Sequence, residues 1–162
     1  MAIWGLWVIN KAGGLVYQRN LGDGLPHLTS NEYLVLAGTL HGIHAITARL
    51  SPTGTSSGAN VISSETFKLT ILLTATGTKF VLLTSLAENT ADAVLQKVYE
   101  AYADAVMKNP FHTPEMPIRT EGFDSRVTAI MTDETTRLLS RRLFKSLSLK
   151  SEASAIVRVC YI

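Results

Sequence analysis

Between Thr66 and Leu83 the chain reads Thr-Phe-Lys-Leu-Thr-Ile-Leu-Leu-Thr-Ala-Thr-Gly-Thr-Lys-Phe-Val-Leu-Leu, two strand patterns placed back to back. In the first arm Phe67, Leu69, Ile71 and Leu73 recur at every second position, with Lys68, Thr70 and Thr74 on the other parity. One face of such an arm can be buried while the other stays wetter. Phe80 and Leu82 repeat the pattern in the second arm. Gly77, inside Thr76-Gly77-Thr78, can take the positive φ that a tight antiparallel connection needs. These features predict a central β-hairpin against which the remaining elements pack.

The flanking sequence supplies them. Ile3 to Ile9 and Leu15 to Arg19 read as strands joined by the polar, glycine-paired turn Asn10-Lys11-Ala12-Gly13-Gly14. Asn20 to Leu28, with Gly22, Asp23, Gly24 and Pro26, has no period and must carry the chain across the sheet. A helix then opens at Thr29-Ser30-Asn31-Glu32, where a hydroxyl and a carboxylate stand at capping-box spacing. Tyr33, Leu36, Ala37, Leu40, Ile43, His44 and Thr47 share its expected buried face, and Ser51-Pro52 ends it. Val61 to Ser64 reads as a short strand. After the central hairpin, Asn89-Thr90-Ala91-Asp92 starts a second amphipathic helix that carries Val94, Leu95, Val98, Tyr102 and Ala105 and runs to Lys108-Asn109-Pro110. A third helical stretch is predicted from Asp124 to about Thr132. The order ββαβββαα, with hairpin-linked strands, predicts an α+β fold in which helices cover the faces of an antiparallel five-stranded sheet.

Charge and cysteine usage bear on partners. Residues 137 to 162 hold six of the fifteen Lys and Arg and one of the thirteen acidic residues, so a mildly acidic body precedes a basic end. Such a body argues against nucleic acid as the main ligand, whereas the basic end could touch acidic lipid or protein. Arg137, Arg141 and Lys145 line one helical face of 137–149, with Leu139, Leu143 and Leu147 opposite. That pattern suits a membrane surface or a partner groove, or else a solvated tail. Cys160 is the only cysteine, no apolar run approaches the roughly 20 residues that span a bilayer, and Met1 to Ile9 lacks the flanks of a secretory signal. A cytosolic location is expected. Apolar residues make up 46% of the chain and charged ones 17%, a balance produced either by a large core or by greasy surface covered by a partner.

No catalytic set emerges. Ala12-Gly13-Gly14 lacks the spacing of a phosphate-binding loop, and Ser57 lacks the surroundings of a nucleophile elbow. His41 and His44 stand three apart on a helix without a third ligand at metal spacing, so half-buried helix-face histidines are the simpler account. No metal or cofactor is expected. The proline-stiffened segment Lys108 to Arg119, with Phe111, Met116 and Ile118, reads either as a contact surface or as a loop folded back on its own core.

Six strings in fixed order carry a family resemblance: Val8 to Gln18, Leu28 to Glu32, Thr66 to Leu69, Thr76 to Val81, Lys108 to Phe111, and Glu115 to Arg119. In this order they resemble the synbindin family, the larger longin-like subunits of the TRAPP vesicle-tethering core. The resemblance covers residues 1 to about 124, expected as the longin-like domain, and leaves 125 to 162 as a divergent basic extension. It implies a non-catalytic structural subunit of an assembly with small longin-like and Bet3-like partners. That assembly would promote nucleotide exchange on a Rab1/Ypt1-type GTPase in transport between endoplasmic reticulum and Golgi, with the chain cytoplasmic and peripheral at those membranes. The expected partner-binding face comprises Lys11, Gly13 and Gly14 of the first turn together with Lys108, Asn109, Pro110, Phe111, Glu115, Met116, Pro117, Ile118 and Arg119. Family members carry a long insert between the first hairpin and first helix, where this chain has only Asn20 to Leu28. Two alternatives remain at this level: a longin-type membrane-associated adaptor without exchange activity, and a small enzyme using His41, His44 or Ser57.

Overall fold

The computed structural model describes residues 3–21, 28–54 and 56–133. Most of the 20–28 connection, the basic helical pattern of 137–149 and Cys160 lie outside the described residues. Five antiparallel strands, β1 (Ile3–Ile9), β2 (Leu15–Asn20), β3 (Val61–Ser63), β4 (Lys68–Leu73) and β5 (Lys79–Thr84), form one sheet in the order β2-β1-β5-β4-β3. Helix α1 (Ser30–Arg49) lies on one face; α2 (Ala91–Tyr102), its π-helical continuation Ala103–Met107, and α3 (121–133) lie on the other. The α+β order ββαβββαα, with helices on both faces of an antiparallel five-stranded sheet, is the one read from the sequence.

The central hairpin forms as expected: Thr74 N–H donates to Thr78 O (2.9 Å), and Gly77 closes the turn at φ 85°. The wetter face is absent from its second arm, where all six residues of β5 are buried, and in the first arm Thr70 is buried and Lys68 half-buried. Pairing of Ile71 with Val81 and Leu69 with Leu83 directs those four toward α1, where Trp7, Ile9, Tyr33, Ala37 and Leu40 join them. Phe80 and Leu82 instead face α2 with Leu6 and Val8, in a cluster completed by Val94, Leu95 and Val98. A register shift in β1 between Ile3 and Gly5 puts Ile3 in the α2 cluster and Trp4 against the α1 cluster. An extra residue at such a bulge reverses the alternation, a change the plain period cannot show.

Caps fix the helices where the sequence places them. Glu32 N–H donates to Thr29 Oγ1 (3.4 Å), and Thr29 N–H donates back to Glu32 Oε2 (2.6 Å), closing the capping box. At α2 the N-cap Thr90 makes no side-chain cap bond; it is held instead by the fully buried Glu88, whose Oε1 accepts from Thr90 N–H (3.0 Å) and Thr90 Oγ1 (2.5 Å). Helix α3 extends from 121 to 133 and sinks Phe123, Val127 and Met131 into the α2-side core. The boundary expected at 124 therefore falls inside a packed helix. Asp124 itself accepts from Tyr17 Oη (2.7 Å) and Arg19 NH1 (2.9 Å), tying α3 to β2, and burial, with this bond second, raises the Tyr17 phenol pKa.

Phe80 is fully buried and makes edge-on contacts with Tyr99 and Tyr102. Phe80→Ala should cost about 3–5 kcal/mol in urea unfolding. A second test concerns pH. Hydrogen bonds from the Thr29 backbone and hydroxyl hold Glu32 below its ordinary 4.5 in the folded state. Its contribution is thus complete above pH 4.5 and is lost as pH falls through the lower folded value. Glu32→Gln should flatten that part of the stability profile.

Candidate partner-binding surface

The first turn is rigid. Asn10 N–H donates to Gly14 O (2.8 Å), Gly14 N–H donates to Asn10 Oδ1 (2.7 Å), and Gly13 takes φ 92°. Lys11 is exposed and crosses Gly77, so closely that a Cβ on Gly77 would stand 3.0 Å from Lys11 Cγ. A Cβ on Gly13 would stand 3.2 Å from His41 Cγ. The β1–β2 turn, the β4–β5 turn and the middle of α1 therefore meet at one end of the sheet.

Beneath them lies Lys79, only 6% exposed, whose Nζ reaches His41 Nδ1 at 3.3 Å and Gly77 O at 3.5 Å. Burial lowers the Lys79 pKa; burial first, and the Lys79 charge second, lower that of His41; His44 responds to the same causes and to His41. His44 points inward, and its Nε2 has no hydrogen-bond partner among the described residues. Among the described residues no group of three or more His, Cys, Asp or Glu could hold a metal ion.

The second predicted segment divides in two. Lys108 pairs with Asp104 (2.6 Å), which holds the Asp104 carboxyl below its usual range, and Asn109 Oδ1 accepts from Phe111 N–H (3.1 Å). Phe111 projects into solvent at 88% exposure, and Pro110, Glu115, Met116, Pro117 and Arg119 are also exposed. Ile118 does not belong with them. It is 7% exposed and joins the α2-side core, while its N–H donates to Val16 O (2.8 Å) on the outer edge of β2. The contact reading therefore fits Phe111 and Met116, and the folded-back reading fits Ile118. Because Val16 lies two residues beyond Gly14, the two predicted segments converge at the β2 edge.

One surface escaped the sequence reading. Val35, Thr39, Gly42 and Ile46 on α1, continued by the C-cap Leu50, repeat with the same helical spacing as the buried Tyr33, Ala37, Leu40 and His44, displaced by two residues and hence by about 200°. Val35 is 64% and Ile46 61% exposed, and Ile43, assigned to the buried face from the sequence, is exposed beside them. An added Cβ on Gly38 or Gly42 would meet nothing within 4 Å. Both sides of α1 are apolar, and among the described residues only one is covered.

Residues 3–134 match the family model described as the Sybindin-like family. The chain belongs to the Sybindin-like family. It is similar to trafficking protein particle complex subunit 4 of Dictyostelium discoideum, 41% identical over 132 residues that cover 81% of this chain and 97% of that protein. The human subunit 4 is 45% identical over 111 residues, 68% of this chain and 51% of the relative, so the chain spans about half of that protein's length. Human trafficking protein particle complex subunit 1 is 27% identical over 132 residues, covering 78% of this chain and 90% of the relative. The Sybindin-like match includes all of α3 and reaches ten residues past Asp124, where the sequence resemblance was expected to stop.

The split within the second segment is measurable in this Sybindin-like chain. Ile118→Ala should destabilise it by about 2–5 kcal/mol, whereas Phe111→Ala should stay within about 0.5 kcal/mol of the parent in urea titration.

Proposed function

We propose that this chain is a non-catalytic structural subunit of a TRAPP-type tethering complex. In that role it assembles with small longin-like and Bet3-like subunits and contributes to nucleotide exchange on a Rab1/Ypt1-type GTPase in transport from endoplasmic reticulum to Golgi. It acts in the cytoplasm, peripherally at those membranes. The observation that carries the reading is the apolar stripe of α1 that no described residue covers. Burying a side chain such as Val35, Ile46 or Leu50 is worth about 1.5–3 kcal/mol, and an interface needs roughly 800 Å² from each partner. A stripe five helical positions long, with Gly42 at its centre to admit a close backbone, supplies the middle of such an interface. The names borne by the relatives, trafficking protein particle complex subunits 4 and 1, support the same reading.

Exchange on a GTPase requires a surface that favours the nucleotide-free conformer, which is differential binding without a covalent step. Phe111 and Met116 on the capped turns after α2, with the Lys11 to Gly14 turn, form the face assigned to the GTPase; Ile118 and its bond to Val16 hold that segment in place.

Reconstitution with the small longin-like and Bet3-like subunits tests both halves. Val35→Glu with Ile46→Glu should lower subunit affinity by at least about a hundredfold, since two buried carboxylates would lack partners. Phe111→Ala should leave assembly intact and slow GTPase exchange about tenfold or more. Unchanged co-elution of the double variant, or an unmodified chain that joins neither subunit, would overturn the proposal.

A further inference from the structure

The basic cluster at the turn end of the sheet brings Lys11, His41 and Lys79 together with no acid paired to either lysine among the described residues. An ammonium has three donors and no acceptor, so His41 Nδ1 must accept from Lys79 Nζ at 3.3 Å. A neutral imidazole then carries its single proton on Nε2, the nitrogen opposite Lys79. Burial and the Lys79 charge both favour this neutral form. Lys79 thereby fixes the tautomer and polarises the Nε2–H bond, as a donor behind another donor does in any short hydrogen-bonded chain. Lys11, exposed on the adjoining turn, leans over Gly77, whose carbonyl lies 3.5 Å from Lys79 Nζ. Neither Lys11 nor Lys79 forms an ion pair with any Asp or Glu among the described residues, whereas Arg19, Lys108 and Arg126 all do. A buried ammonium without a counter-charge is costly, and a carboxylate arriving from outside would relieve that cost.

We propose that His41 Nε2–H, backed by Lys79, and the Lys11 ammonium together receive the carboxylate of an Asp or Glu side chain on a partner protein, at the junction of the β1–β2 turn, the β4–β5 turn and α1. The inference rests on the partner-binding reading and specifies its chemistry at the Lys11 turn. A protein carboxylate fits better than an anionic membrane. Lipid surfaces are held by several exposed cations acting together, and here one cation is exposed and the other lies beneath an imidazole. The two oxygens of a carboxylate can take one N–H and one ammonium at once.

Zero-length carbodiimide cross-linking of the chain reconstituted with its small longin-like and Bet3-like partners, and then with the GTPase, tests this. The reagent joins an amine to a carboxylate in contact with it, so a peptide holding Lys11 amide-linked to a partner's Asp or Glu is expected. Lys79→Met and His41→Phe should each weaken binding of that cross-linked partner about tenfold at 0.15 M salt, with less loss at high salt. Lys11→Glu should weaken it further, and should be rescued by reversing the cross-linked acid to Lys. Because Lys11 is exposed, that last pair answers the question even if Lys79→Met fails to fold. An assembly that forms with unchanged affinity in the His41 and Lys11 variants, and with no Lys11 cross-link to a partner, overturns this inference alone. Loss of binding to phosphatidylserine vesicles with assembly intact overturns it in favour of a membrane contact. A parent chain that joins no partner removes the broader reading and this one with it.

Discussion

Strand β5 allows no solvent on either side. Paired with β1 on one edge and β4 on the other, it satisfies its backbone within the sheet, and every one of its six side chains is buried. A strand in that position obliges the chain to provide a cover for each face, and the rest of the fold meets that demand. Helix α1 covers the face bearing Val81 and Leu83; α2 and α3 cover the face bearing Phe80 and Leu82. Because β2 and β3 occupy opposite edges of the sheet, the helix between them has to span its full width. That geometry gives α1 its twenty residues and leaves its back outermost.

The two covers differ in their outer surfaces. Helix α2 is amphipathic in the ordinary sense, with Asp92, Gln96 and Glu100 outside and Val94, Leu95 and Val98 inside. Helix α1 has apolar side chains on both sides, a composition that belongs to helices sandwiched between layers. Among the described residues one layer lies beneath it and none above. The converging turns at the other end of the sheet add charged and aromatic groups, Lys11 and Phe111 among them, that the core does not use.

Much of this was legible in the sequence because it depended on neighbours in the chain. The capping box at Thr29 and Glu32, the positive φ at Gly77 and the order of elements along the chain all follow from local spacing, and all are present. What depended on a distant element was not legible. Lys68 and Thr70 looked like a wet face until α2 was laid over β4 and β5. Ile118 looked like a contact residue because its partner, Val16, lies about a hundred positions earlier. Ile43 was drawn to the wrong side of α1 because two apolar stripes of equal period overlap there, and periodicity cannot say which one faces the sheet. The Lys79–His41 pair joins residues 38 apart, with no motif to announce it.

The π-helical turn Ala103–Met107 sits between α2 and the segment carrying Phe111. Relative to an α-helix it accommodates one additional residue, and one residue amounts to about 100° of rotation about the axis. The direction in which the chain leaves the helix toward Phe111 is therefore set by that surplus residue, while Val106 inside the turn and Ile118 beyond it are held by the core. The turn acts as a compass setting for the stretch between those two anchors, and it is there that Phe111 stands.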